Sequence, residues 1–415
     1  MRLSLSLILA AAPAFAASPD APIRTLGEAY AAALAASEQV AVSEQAIRRA
    51  EALYKEALGS SLPELSYRSQ TSVQDGTRGR AETDGALRLS HAGLNGYREL
   101  AAVRAAKADA GAERFRRRRA EQLLLSDLAG AYYGLLQARE DATNIAELQK
   151  LAELRLKELQ ERVRVGRSRE ADAIAQEFQA SSLKAQFEES SRLAGARADL
   201  LAYLTRSSVV EAAAPASSAP AADLGLPHYL ARVEDRPDVG AARLSAESAG
   251  QSVKAAQGDR LPELALGLNR YTNRPVVRER VKWDAGLTLS FPLFSWGAGR
   301  AAVEQARTSA ETGTLDLSAA RRQAELEVRN AYRDLASARR QLEVRRHAVE
   351  LAERDYALQR RDEARGLVTS LEILESLNRL SAARLARSAA DLTARLAAVS
   401  LELAAGARPE ALDLK

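Results

Sequence analysis

The chain has 415 residues, with 59 Lys and Arg against 55 Asp and Glu and a formal net charge of +4. That balance excludes the strongly basic surface of a nucleic-acid partner. There is no cysteine, and His91, His228 and His347 lie far apart in sequence. Disulfides, thiol chemistry and thiolate metal sites are therefore excluded, and a zinc enzyme has no ligand cluster to start from. Gly (23), Pro (12) and aromatics (5%) are all scarce, which points to long regular elements rather than a large compact core.

The chain opens with Arg2, an apolar run from Leu3 to Ala12, and Ala14-Phe15-Ala16. This pattern predicts a signal peptide over 1–16. The run is too short to span a bilayer, which takes about 20 residues, and no later run is long enough either. The expected locations are the periplasm, the exterior, or an outer membrane as a β-barrel.

The remainder reads as a duplication. Leu62-Pro63-Glu64-Leu65 recurs as Leu261-Pro262-Glu263-Leu264, and Ala101-Ala102-Val103 as Ala301-Ala302-Val303. Ala131-Tyr132 recurs as Ala331-Tyr332, and Gly166 as Gly366. Matches in order at a nearly constant offset define a first repeat over 17–206 and a second over 227–406. A Pro- and Ser-containing linker lies between them at 207–226, and a tail follows over 407–415.

Each repeat follows one plan. A helix over Leu26–Leu58 leads to strands over about 62–74 and 82–94, a long helix over Tyr97–Val163, and a helix over Arg169–Thr205. The second repeat offers a helix over His228–Gln257, strands over about 261–273 and 283–294, a long helix over Ala298–Glu363, and a helix over Thr369–Ala405. A helix of roughly 65 residues is about 100 Å long. Val328, Leu335, Leu342, Val349 and Tyr356 recur every seven residues, as do Leu371, Leu385, Leu392 and Val399 with Asn378 in the missing step. A seven-residue repeat implies supercoiled packing. Val344, Leu351 and Leu358 form a second seam two positions round, as suits a helix flanked on both sides.

The strand segments alternate with period two. Leu264, Leu266 and Leu268 alternate with Ala265, Gly267 and Asn269, and Leu287, Leu289, Phe291 and Leu293 with Gly286, Thr288 and Ser290. Runs of ~10 residues cross a membrane as tilted strands, although soluble hairpins can share the pattern. Tyr67, Tyr271, Trp283, Phe291, Phe294 and Trp296 cluster on or beside these strands as candidate interface aromatics. Four strands cannot close a barrel, and an open edge is not tolerated in lipid, so several chains must share one. Two chains would give eight strands and a filled interior, and three would give twelve and a lumen.

The chain resembles the TolC-like outer membrane efflux protein family over about Leu26 to Gly406. The segments that carry the resemblance are Leu287-Thr288-Leu289-Ser290-Phe291-Pro292-Leu293-Phe294-Ser295-Trp296-Gly297 and the stretch Arg365–Gly406. The resemblance implies a mainly α protein with membrane β. It implies a homotrimer whose twelve-stranded barrel, four strands from each chain, sits in outer membrane lipid and continues as an α-helical coiled-coil tunnel in the periplasm. It also implies a passive exit duct of a tripartite efflux or type I secretion system, with a periplasmic adaptor and an inner-membrane pump as partners. Glu372 and Glu375 stand where many members ring a periplasmic gate with acids, with Asp172 as the first-repeat counterpart. A tyrosine that some members carry three residues before the second turn glycine is replaced by Glu363. The turns Gly166-Arg167-Ser168 and Gly366-Leu367-Val368-Thr369-Ser370 match the tips where adaptor hairpins dock, the first being much the more charged.

The alternative is a soluble periplasmic coiled-coil scaffold or adaptor, which needs no membrane-length strands. The basic run Arg114 to Arg119 sits mid-helix and reads as a solvated face paired with Glu residues. No nucleophile–base pair or phosphate loop suggests an enzyme, and no cofactor is expected.

Overall fold

A computed structural model describes residues 23–73, 81–92, 98–207, 211–213, 224–274, 280–363 and 365–412. The signal peptide, most of the linker, the strand ends beyond 73 and 92, and the last three residues of the tail lie outside the described residues.

The first half holds α1 (Leu26–Ala36), α2 (Glu38–Ser60), β1 (Glu64–Ser72), β2 (Glu82–Ala92), α3 (Arg98–Arg164) and α4 (Glu170–Thr205). The second holds α5 (Leu226–Ala231), α6 (Pro237–Gly258), β3 (Glu263–Asn273), β4 (Trp283–Ser290), α7 (Ala298–Glu363) and α8 (Ser370–Ala404). The long helices α3 and α7 have 67 and 66 residues, about 100 Å each. Toward the sheet, α3 packs against α2 and α6; farther out it packs against α4 and α8. α7 packs against α6 and α8.

Two leading helices differ from the sequence pattern. The helix read over 26–58 is broken at Ser37, whose extended backbone (ψ 117°) ends α1 while its hydroxyl caps α2 through Val40 N at 3.3 Å. The helix read over 228–257 is interrupted by a one-turn 3-10 segment, Val233–Asp235, and α6 restarts at Pro237. Proline has no N–H to continue a helix but fits its first turn.

Three buried clusters run along the helices. Leu26, Tyr30, Leu125, Leu128, Tyr132 and Leu201 form one. Tyr229, Val239, Val328, Leu335 and Leu401 form the second, and Ile145, Leu148, Leu183, Leu377 and Leu380 the third. Tyr132 donates one hydroxyl hydrogen to the carbonyls of Arg24 (2.5 Å) and Ala213 (2.7 Å), tying two chain segments to α3. Gly258 lets α6 approach the first turn of α3, because a Cβ there would lie 2.9 Å from Arg98 N.

The first heptad seam of α7 packs inward: Val328, Leu335 and Val349 are buried, and Leu342 and Tyr356 are half-buried. The second seam, Val344, Leu351 and Leu358, is exposed on the single chain. In α8 the buried row is Ile373, Leu377, Leu380 and Leu401, whereas Leu371, the head of the row read from sequence, is exposed. The core face of α8 thus lies beside the predicted one.

The four strands form one antiparallel sheet in the order β1-β2-β3-β4. The ladder between β2 and β3 carries a bulge at Gly85/Ala86. β4 ends at Ser290, not near 294, and Pro292 stands just beyond, where it offers no ladder donor.

Candidate functional site

Cross-strand partners share a face of a sheet. Leu65 pairs with Leu89, Tyr67 with Leu87, Leu89 with Leu268, and Leu266 with Leu287. Together with Leu264 and Leu289 these residues make one largely apolar face, which also carries His91 and Arg270. Leu65, Leu87, Leu89, Leu266, Leu268, Leu287 and Leu289 are all exposed on the chain. The opposite face carries Arg68, Asp84, Arg88, Asn269, Asp284 and Thr288. Asn269 donates to Asp284 at 2.8 Å. No described strand residue belongs to the buried apolar core, so this sheet is a wall with a wet side and a greasy side.

The candidate interface aromatics separate. Tyr67 and Trp283 lie on the apolar face. Tyr271 does not: its alternation puts it on the polar face, where its hydroxyl donates to Asp284 and the Arg274 guanidinium lies 3.3 Å from its ring centroid. That removes it from a lipid-facing girdle. Phe291, Phe294 and Trp296 follow the end of β4 and are exposed, the last two in edge contact with ring centroids 4.8 Å apart.

The far ends of the helices are closed by matching turns. Gly166 and Gly366 have φ of 72° and 74°, a left-handed conformation that costs glycine little. Arg167 N donates to Arg162 O at 2.7 Å, and Leu367 N to Asp362 O at 3.0 Å. Each is a glycine-terminated helix end of the Schellman type. Arg167, Leu367 and Thr369 are exposed at these tips, and Ser168, Val368 and Ser370 are half-buried.

The three candidate gate acids do not meet as a free cluster. Glu372 completes a capping box: its carboxylate accepts from Thr369 N at 2.6 Å and Thr369 Oγ1 at 2.8 Å. Those hydrogen bonds, the backbone one foremost, hold its pKa below the usual carboxylate value. Asp172 is paired with Arg169 at 2.9 Å. Glu375 is exposed, with Arg379 at 3.9 Å. Deeper along the helices, Gln179 of α4 donates to Asn378 of α8 at 2.7 Å, so the polar step in the α8 heptad row is a contact between the halves.

An ion cluster just above the tips is the feature that sequence pattern does not show. The side chains of Arg155 and Glu363 are 3% and 6% exposed and hydrogen-bond directly. Arg162 also reaches Glu363, at 3.1 Å, and Arg155 reaches Glu158 at 3.2 Å and Ser370 Oγ at 3.4 Å. Arg360 grips Glu158 with two hydrogen bonds, at 2.8 and 3.1 Å, and is the main cause that pushes its pKa down to about 2. The cluster ties the end of α3 to the end of α7 and the start of α8. Two arginines of the basic run pair across to α2: Arg114 with Glu51 at 2.6 Å and Arg117 with Glu44 at 2.8 Å.

Among the described residues no group of His, Cys, Asp and Glu could hold a metal ion, and no helix is long and apolar enough to cross a membrane. The sequence of residues 231–407 matches the outer membrane efflux protein family. None of the curated proteins matches the chain by sequence. By structure the chain is similar to CusC, described as forming a transmembrane channel, with 16% identity, 98% of this chain and 99% of that one covered, and a TM-score of 0.82. It is also similar to the outer membrane protein VceC of Vibrio cholerae, with 18% identity, 92% and 96% covered and a TM-score of 0.81. The CmeC outer membrane channel of Campylobacter jejuni gives 17% identity, 97% and 94% covered and a TM-score of 0.79. The whole fold, sheet and long helices together, is therefore the fold of these outer membrane proteins.

Proposed function

We propose that the chain is one protomer of an outer membrane channel that serves as the passive exit duct of an efflux or secretion system. The observation that carries this reading is the sheet. It has one exposed apolar face, one polar face and two unpaired edges, β1 and β4. An open-edged sheet is unstable in lipid, where each unpaired backbone group costs several kcal/mol. Copies joined edge to edge remove those edges. Three copies make twelve strands, enough to leave a lumen lined by the polar face. The two halves are copies of one unit, joined by the linker at 207–226. The exposed seam Val344, Leu351 and Leu358 on α7 is then the face that meets the next protomer.

The polar wall continues into the long helices, which form a tunnel reaching about 100 Å into the periplasm. The tips at Gly166–Ser168 and Gly366–Ser370 meet a periplasmic adaptor, which links the duct to an inner-membrane pump. Glu372 and Glu375, with Asp172 behind them, ring the periplasmic entrance. Trp283 and Tyr67 face the outer leaflet side of the barrel, and Phe291, Phe294 and Trp296 the periplasmic side. The duct performs no covalent chemistry.

One experiment tests this reading. Cells expressing the full chain are fractionated, and the membranes are cross-linked after detergent extraction. The expected result is a trimer in the outer membrane fraction. A monomer released with the periplasmic contents would favour a soluble scaffold and overturn the proposal.

A further inference from the structure

Resting on the outer membrane reading, we infer that Arg270 anchors a phosphate-bearing lipid of the outer leaflet against the outside of the barrel. Arg270 is the cross-strand partner of Leu87 on one side and of Trp283 on the other, and Leu87 in turn partners Tyr67. Partners share a face, so Arg270 rises from the apolar face of the sheet, two residues beyond Leu268. It is exposed, and among the described residues its side chain makes no hydrogen bond or ion pair. The nearby acids Asp84 and Asp284 alternate onto the opposite face.

The row Tyr67, Leu87, Arg270 and Trp283 marks the upper limit of the apolar belt. Below it on the same face lie Leu65, Leu89, Leu268 and Ala285, then His91, Leu266 and Leu287, then Leu264 and Leu289. Above it lie Ser69 and Gly85, then Thr71 and Thr83, whose hydroxyls are 3.0 Å apart. From Leu264 to Arg270 is six residues, about 20 Å along a strand. At a strand tilt of about 35–45° that is roughly 15 Å of height, and the residues below β4 extend it toward the apolar band of an outer membrane barrel, about 25 Å tall. The end of the sheet joined to the helices faces the periplasm, so this row faces the outer leaflet.

A guanidinium stays charged at any relevant pH and presents a planar fork that fits a phosphate with two hydrogen bonds. Flanked by Leu87 and the exposed Trp283, it favours a phosphate carried on an apolar body over a free anion. An indole at a membrane boundary sits at the level of the head groups, where lipid phosphates lie. Arg280 and Lys282, just before Trp283, bring two more exposed cations to the same end of the sheet.

The test uses the full chain, purified in a neutral detergent and examined by native mass spectrometry. The probes are diphosphorylated lipid A, the same lipid without its phosphates, and inorganic phosphate. The wild-type assembly should retain the phosphorylated lipid and release the dephosphorylated one. Arg270→Gln should retain about tenfold less, as expected for loss of a charge-assisted hydrogen bond, and Arg270→Lys should fall between. Equal retention of the two lipids by the wild type, a comparison that needs no variant, overturns the inference. So does an intact Arg270→Gln assembly that holds lipid as well as the wild type. Displacement of the lipid by millimolar inorganic phosphate would make this a free-anion site and overturn it too. A wild-type chain recovered as a soluble, lipid-free monomer would instead overturn the channel reading beneath it.

Discussion

Glu363→Ala is the substitution that most directly tests how the tunnel end is held. The carboxylate is 6% exposed and accepts from Arg155, itself 3% exposed, and from Arg162 at 3.1 Å. Removing it strands the Arg155 guanidinium in the helix interface. Breaking a buried ion pair from one side costs about 3–5 kcal/mol. The lower end applies here, because Arg155 keeps Glu158 at 3.2 Å and Ser370 Oγ at 3.4 Å. The loss falls where α3, α7 and α8 meet just above the tips, so the two hairpins should separate there while the barrel stays intact. Single-channel recording in a planar bilayer reads this as a larger conductance for Glu363→Ala than for the wild type. Glu363→Gln, which keeps the shape and removes the charge, should give a smaller increase. Arg155→Met combined with Glu363→Leu replaces the pair with apolar packing and should restore conductance close to wild type. If Glu363→Ala conducts as the wild type does, the cluster does not hold the tunnel end and this reasoning fails.

Three more outcomes follow from the same geometry. Leu289→Arg should destabilise the assembled barrel by roughly 2–4 kcal/mol if it sits near the membrane midplane, while Thr288→Arg on the polar face should be tolerated; heat dissociation of the trimer on a gel compares them, and equal tolerance would reverse the assignment of faces. Glu372→Gln with Glu375→Gln should weaken cation selectivity and block by trivalent cations from the tunnel side, an effect to be read at low salt where screening is weak; full selectivity in the double variant would leave both acids as capping and surface groups. Glu158, with its pKa pushed down to about 2 chiefly by the Arg360 hydrogen bonds, binds its proton more readily unfolded than folded, so its contribution is present above the ordinary carboxylate pKa and is lost as pH falls from about 4.5 to about 2. Unfolding followed by circular dichroism across that window should show a steeper loss for the wild type than for Arg360→Gln, and parallel losses would count against the pair.

Local pattern made much of this fold legible. Period seven along Val328 to Val349 and period two along Leu264 to Leu268 each follow from neighbours in sequence, and both faces appear where the patterns put them. The same local logic contains details that are easy to pass over. Thr369-Ser370-Leu371-Glu372 is a capping-box signature, so the Glu372 carboxylate is tied to the start of α8 wherever that helix end lies. Tyr271 has the opposite parity to Leu266 and Leu268, so alternation alone sets it on the polar face. The break at Ser37 has weaker local warning, because serine serves both inside helices and as their cap.

The Arg155–Glu363 contact is of another kind. Its partners are 208 residues apart, and each lies in a charged stretch where many pairings satisfy the sequence equally well. Only the antiparallel return of α4, the sheet crossing from β2 to β3, and the descent of α7 bring the two helix ends level. The Gln179–Asn378 contact, spanning 199 residues, has the same origin. These two polar contacts join the halves toward the tips, as Arg384–Glu147 and Arg387–Glu140 join α8 to α3 farther from them. A tunnel built of near-identical apolar seams could slide by a turn at little cost. The buried Arg155–Glu363 pair fixes that register, because a one-turn slip would leave an arginine unpaired in the interface.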